Sequence, residues 1–141
     1  MRVEAIHTRA PDEEAVRAVE SIRALAGKGL EGDRYFFPDG AKPGLALTLV
    51  EAEVVADVGL APGETRRQLT VSGIRLNDLT GKRFRVGSVV CRGIEICEPC
   101  LHLQDVTRPG IIKDLLHRGG LNADILTDGT ISVGDEIALF Q

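Results

Sequence analysis

Tryptophan is missing from this 141-residue chain, tyrosine occurs once and phenylalanine four times, so the aromatic platforms on which single-stranded nucleic acid stacks are scarce. Positive charge is in deficit as well. Seventeen Lys and Arg against 21 Asp and Glu leave a formal charge of -4, and a pI near 5.4 offers no basic footprint for a phosphate backbone. Nucleic acid is therefore not an expected partner. No apolar run approaches the ~18 residues of a membrane-spanning helix. The opening Met1-Arg2-Val3-Glu4-Ala5-Ile6 also lacks the basic, apolar and small-residue regions of a secretory signal. No membrane partner is expected, and the cytoplasm is the expected compartment. Cysteine is sparse: three residues, an odd count without the spacing of a disulfide framework, point to a reducing compartment with at least one free thiol.

Glycine, by contrast, is plentiful. Sixteen are spread along the chain, and the stretches between them are short and rich in Val, Ile, Leu and Thr, which reads as many short strands. Val3, Ala5 and His7 alternate with polar neighbours as an opening strand. Pro11-Asp12-Glu13-Glu14 has the acidic character of a helix start, and Val16, Val19, Ile22 and Leu25 suit a helix face or an irregular strand equally. Residues 27–35 are too rich in glycine for a regular element and predict a loop whose backbone passes close to a ligand or another strand. A turn at Pro38-Asp39-Gly40, a buried strand over 45–50, a short helix over 51–58 and a strand within 66–74 follow. Segments 84–90 and 131–137 are built alike, each a strand, a glycine turn and a second strand. The sum is one domain spanning 1–141, mainly β with a few short helices, closed as a twisted antiparallel β-barrel. That length buries a core without metal or disulfide staples.

Chemistry concentrates at Cys97-Glu98-Pro99-Cys100, placed at a strand end and followed by Leu101-His102. Such a pair can exchange electrons as a dithiol, hold half of a zinc site, carry a transferable sulfur or bind a soft metal. Zinc wants about four ligands. Only Cys97, Cys100, His102 and His117 are on offer, and there is no second Cys-x-x-Cys. A thioredoxin-like dithiol wants a helix start within a β-α-β pattern, which the surroundings lack. Cys91 lies in an alternating stretch and reads as core. For Cys100 to act as a thiolate its pKa must fall from ~8.5 toward neutrality, which nearby cations achieve. Arg34, Arg67 and Arg118 lie in segments that a barrel could bring to one mouth, and guanidinium groups suit both thiolates and phosphates. Plainer readings stand beside these: an inert buried thiol for Cys100, solvated or hydrogen-bonded His102 and His117, a turn-fixing Asp135, and a helix-capping Gly119-Gly120. Asp33 divides evenly between fixing its turn and serving a site.

Taken in order, several segments resemble the MOSC family, the domain at the C-terminus of molybdenum-cofactor sulfurases that also occurs as stand-alone bacterial proteins. They are Gly29-Leu30-Glu31-Gly32-Asp33-Arg34-Tyr35, Arg66-Arg67 with Val71-Ser72-Gly73-Ile74, Gly87, Cys97-Glu98-Pro99-Cys100, Arg118-Gly119-Gly120 and Gly129-Thr130-Ile131-Ser132-Val133-Gly134-Asp135. The likeness spans most of the chain. One departure stands out: the family's arginine pair is commonly followed by asparagine, and here Gln68 carries its amide one methylene further out. The resemblance implies a barrel-like β fold and a reactive Cys100. That cysteine would accept sulfur as a persulfide for delivery to a molybdenum cofactor or metal–sulfur centre, or would ligate molybdenum cofactor itself. Arg34, Arg67, Arg118 and Asp33 are the implied cofactor-binding residues. The implied partners are a cysteine desulfurase as sulfur donor, carrying the pyridoxal phosphate unless this chain binds it too, and an acceptor protein holding the molybdenum cofactor or metal–sulfur centre. Two other readings stay open: a non-catalytic module binding a pterin or other phosphorylated ligand, and a redox protein using the Cys97/Cys100 dithiol.

Overall fold

In the computed structural model residues 1–99 and 101–140 are described, and of Leu101 and His102 only the backbone. Cys100, the expected reactive residue, thus lies outside the described residues. Strand β1 (Arg2–Thr8) opens the chain, but its inward residues are Val3 and Ile6, three apart, with Ala5 and His7 only half-buried. A regular strand cannot turn both inward. The irregularity between Val3 and Ala5, where Glu4 is the extra residue opposite neighbouring strand β6 (Leu69–Ser72), resets the alternation.

After β1 the chain makes strands β2 (Arg17–Val19) and β3 (Ser21–Leu25), so of the residues that suited a helix or a strand equally Val19, Ile22 and Leu25 are strand, while Val16 lies just before β2. A two-residue strand β4 (Gly29–Leu30) interrupts the glycine-rich loop. Next come β5 (Leu47–Glu51) and helix α1 (Ala52–Asp57), close to the expected positions. The parallel β5–β6 pair is joined through this helix, and a 3-10 turn (Leu76–Leu79) follows β6. Strands β7 (Arg83–Val86) and β8 (Val89–Ile96) form the hairpin expected around Gly87. Two short helices, α2 (Leu101–Val106) and α3 (Ile111–Leu115), precede β9 (Leu121–Ile125), β10 (Gly129–Ser132) and β11 (Ile137–Leu139).

Eight strands make one sheet in the order β11-β7-β8-β9-β5-β6-β1-β2, and β10-β3-β4 make a second. The resembling segments 84–90 and 131–137 therefore part company. The first is a hairpin, whereas the second sends β10 to pair with β3 and β11 to pair with β7. Between β10 and β11 the chain is stitched to β1: Val3 N–H donates to Asp135 O (2.9 Å), Gly134 N–H to Val3 O (2.8 Å) and Ile137 N–H to Met1 O (2.9 Å). This seam curls the large sheet into a half-barrel. Asp135 fixes the turn as expected, its Oδ2 accepting from Ser132 N–H at 2.8 Å.

Phe84, Leu47, Leu49, Leu69, Leu121 and Ile125 fill the barrel, joined by Ala24, Leu30 and Ile131 from the small sheet. A separate cluster of Val58, Leu103, Ile111 and Leu115 seats α2 and α3 beside α1. Among the described residues no helix is long and apolar enough to cross a membrane.

Candidate functional site

Several stretches end around one cavity of about 320 Å³: the C-terminal end of β1, the turn at 33–35, the lead into β6, and the exit of β8. Arg9, Asp33, Arg34, Arg66, Arg67 and Cys97 line it, and Val16, Tyr35, Leu45 and Leu103 give it apolar walls. Four arginines against one aspartate make the cleft net cationic. Three sequence-predicted residues, Asp33, Arg34 and Arg67, meet here.

Asp33 is 4% exposed, and such burial of a carboxylate is tolerable only if its oxygens are hydrogen-bonded. They are: Oδ1 accepts from Arg9 N–H (2.9 Å), and Oδ2 from Tyr35 N–H (3.1 Å) and Gln68 Nε2–H (2.6 Å). Gln68, 5% exposed, also accepts from Thr48 N–H through Oε1 at 2.8 Å, while its own N–H donates to Thr48 Oγ1 at 3.0 Å. The longer amide side chain thus spans from β5 to the 33–35 turn. Arg34 N–H donates to Arg9 O at 2.7 Å, while its side chain has no polar partner among the described residues.

The two arginines of the pair do different things. Arg67 turns its guanidinium to backbone carbonyls, donating to Gly119 O (2.8 Å), Thr65 O (3.4 Å) and Cys97 O (3.5 Å). Arg66 sits at φ +61°, a left-handed conformation that costs a non-glycine residue ~1–2 kcal/mol. Its side chain lines the cavity and donates to Glu14 O at 3.3 Å.

The cysteine-bearing segment is held by the loop before β9. Cys97 N–H donates to Gly120 O (2.8 Å), and a Cβ on Gly119 would run into Cys97 O, with Pro99 Cδ at 3.1 Å. A Cβ on Gly120, at φ +123°, would strike Leu49 O. The glycine pair therefore serves close backbone packing. Glu98 joins the same clamp: His117 N–H donates to Glu98 Oε1 at 2.7 Å, and His117 Nδ1 lies 3.0 Å from Glu98 Oε2.

Arg118 is not brought to the cavity. Its Nη1 pairs with Asp57 Oδ2 (2.7 Å) and its Nε donates to Asp114 O (2.7 Å), so it fastens α3 to the end of α1. Cys91 is fully buried, and desolvation pushes its thiol up to about 12, which makes it an inert core residue. Among the described residues no group of three or more His, Cys, Asp or Glu could hold a metal ion. Arg9, Arg66, Gln68 and Thr48 escaped the sequence reading as site residues. Arg66 adjoins a residue already singled out and Gln68 follows it, but nothing local marks Arg9 or Thr48.

The sequence matches the family described as MOSC domain over residues 45–138. No curated protein sequence matches the chain. Among solved structures, the YuaD protein from Bacillus subtilis is similar with a TM-score of 0.81 at 18% identity, over 99% of this chain and 96% of that one. YiiM from Geobacillus stearothermophilus is similar at TM-score 0.76 and 14% identity, over 99% and 75% of the two chains. YiiM from Escherichia coli follows at 0.70 and 19%, over 100% and 70%. At these identities the likeness is one of fold.

Proposed function

The chain belongs to the MOSC domain family, a domain associated with the molybdenum cofactor, and from that membership we propose that its cationic cleft holds the phosphorylated pterin of that cofactor beside the Cys100 thiolate. One observation carries the reading: a cavity of about 320 Å³ in which four arginines converge while the cysteine-bearing segment forms part of the wall. The donor set suits such a group. Guanidinium forks match phosphate oxygens, and apolar Val16, Leu45 and Tyr35 suit a flat ring. When bound, the cofactor supplies a redox-active metal that a soft thiolate ligates well.

The chain's own residues divide the remaining work. Arg34 and Arg66 offer charge to an anionic ligand, and Arg67 holds the carbonyl of Cys97 so that the segment leading to Cys100 has a fixed root. Cys100 is separated from two cavity-lining residues, Cys97 and Leu103, by three positions on either side. Arg118 is left out of the ligand set because its guanidinium is spent on Asp57 and Asp114.

The same thiolate serves sulfur carriage. There Cys100 attacks the outer sulfur of a persulfide on a cysteine desulfurase, a new S–S bond forms on Cys100, and the donor leaves as a thiolate. Pyridoxal phosphate stays with that donor. Metal analysis and intact mass of non-reduced wild type and Cys100→Ser, from molybdate-supplied cells and after incubation with a cysteine desulfurase and cysteine, test both uses. Stoichiometric molybdenum lost in the variant supports ligation. A sulfur-mass adduct removed by dithiothreitol and missing from the variant supports carriage, and neither result in wild type overturns the proposal.

A further inference from the structure

Asp33 is a buried negative charge in a cleft whose other charged walls are arginines, a poor choice if its task were to touch an anionic ligand. We infer that Asp33 is a positioning residue that templates the arginine cluster by holding three separate backbone stretches in register. This rests on the anion-binding reading of the cleft.

The connections are specific. Oδ1 fixes the amide of Arg9, where the chain has just left β1; Arg9 O in turn receives Arg34 N–H. This two-bond bridge ties one cavity arginine to another. Oδ2 fixes Tyr35 N–H on the far side of Arg34, and Gln68 Nε2 next to Arg67. Gln68 Oε1 carries the frame on to Thr48 of β5. Asp33 thus sits one residue from Arg34, bonds directly to Arg9, and is one side chain removed from Arg67. A single carboxylate that satisfies donors from three stretches sets their spacing, and the spacing of guanidinium groups decides whether a tetrahedral anion is held by two at once.

Substitution separates this role from a purely electrostatic one by sign. If Asp33 were only a negative charge near the ligand, Asp33→Asn would tighten anion binding. If it positions the arginines, the same change weakens binding, because the new amide must point its N–H groups at Gln68 Nε2, Tyr35 N–H or Arg9 N–H, donor against donor. The double change Asp33→Asn/Gln68→Glu moves the charge one partner along and restores a side-chain bond from residue 33 to residue 68.

The test is a titration of the full chain with inorganic phosphate, followed by amide NMR, with hydrogen exchange measured on the same samples. Asp33→Asn is expected to weaken phosphate binding about tenfold, the scale of one lost buried charged hydrogen bond, and to speed exchange at Arg9 and Arg34, because the one remaining oxygen keeps its two donors, Tyr35 and Gln68, and leaves Arg9 facing the amide nitrogen. The double variant is expected to recover Arg9 and Arg34 protection and to bind within about threefold of wild type. Unchanged or tighter binding in Asp33→Asn with those amides still protected would overturn the inference, as would a double variant that recovers nothing. Gln68→Met removes one donor of the three and keeps the question open to experiment should Asp33→Asn not fold; about twofold weakening is expected, and tighter binding overturns the role. Should wild type itself fail to bind phosphate, the anion-binding reading falls, while hydrogen exchange still decides whether Asp33 holds the three stretches.

Discussion

Burial raises the pKa of two groups that stand away from the cleft, Glu51 and Cys91, and each has a measurable consequence. Desolvation is the main cause for Glu51, whose carboxylate accepts from Leu76 N–H at 3.3 Å. Because the folded state holds this proton more tightly than the unfolded chain, the group's contribution to stability is fullest below its ordinary value of 4.5. It is lost as pH rises through the folded pKa. Glu51→Gln keeps an acceptor for Leu76 and removes the charge, so it is expected to raise Tm by ~2 °C at pH 7 and to leave it nearly unchanged at pH 4, as thermal scans at the two pH values would read. Cys91, with its thiol pushed up to about 12 and no exposed surface, should resist iodoacetamide at pH 8 in the native protein and react once denatured. Peptide mapping of the alkylated cysteines checks this.

The loop before β9 and the segment after β8 act as one element pair, because glycine lets their backbones touch. Gly119→Ala would force its methyl into Cys97 O, and the expected cost is about 1–3 kcal/mol in a denaturant titration. Arg67→Lys cannot reproduce the contacts to Gly119, Thr65 and Cys97 carbonyls with one ammonium group. It should lower stability and shift the pH dependence of thiol alkylation in that segment, as alkylation rates across pH 6–9 would show. Elements of this kind were unevenly legible. The hairpin at Gly87 and the helix after β5 carry their signals within a few residues, and both stand where the sequence puts them. Val19 is strand because β2 pairs back onto β1, and Ile22 because β3 finds its partner in β10 more than a hundred residues later, which no local period records. The inward pattern of β1 is displaced by a bulge that exists only against β6. In sequence Arg118 is equal to Arg34 and Arg67, because all three lie in glycine-flanked or strand-end segments, but Asp57 of α1 claims it. Gln68 could be read as a longer asparagine, yet its bond to Asp33 depends on a turn 35 residues upstream.

At the scale of the molecule, the seam between β1 and the β10–β11 link decides whether the large sheet closes. Val3 is fully buried there and bonds through both backbone groups, to Asp135 O and from Gly134 N–H. The amides of Val3, Gly134 and Ile137 should therefore exchange together, in the slowest class and only through global unfolding, as native-state hydrogen exchange in low denaturant would show. Exchange of the seam ahead of β5 and β9 would mean that the curled sheet opens independently. The residues that meet at the seam lie at opposite extremes of the sequence, and this bears on biogenesis. The β10–β11 link must emerge from the ribosome before β1 can complete its pairing, so while the intervening strands are made the growing sheet presents an open edge. Chaperone dependence and loss to aggregation should accordingly concentrate in nascent chains that stop short of the last strand.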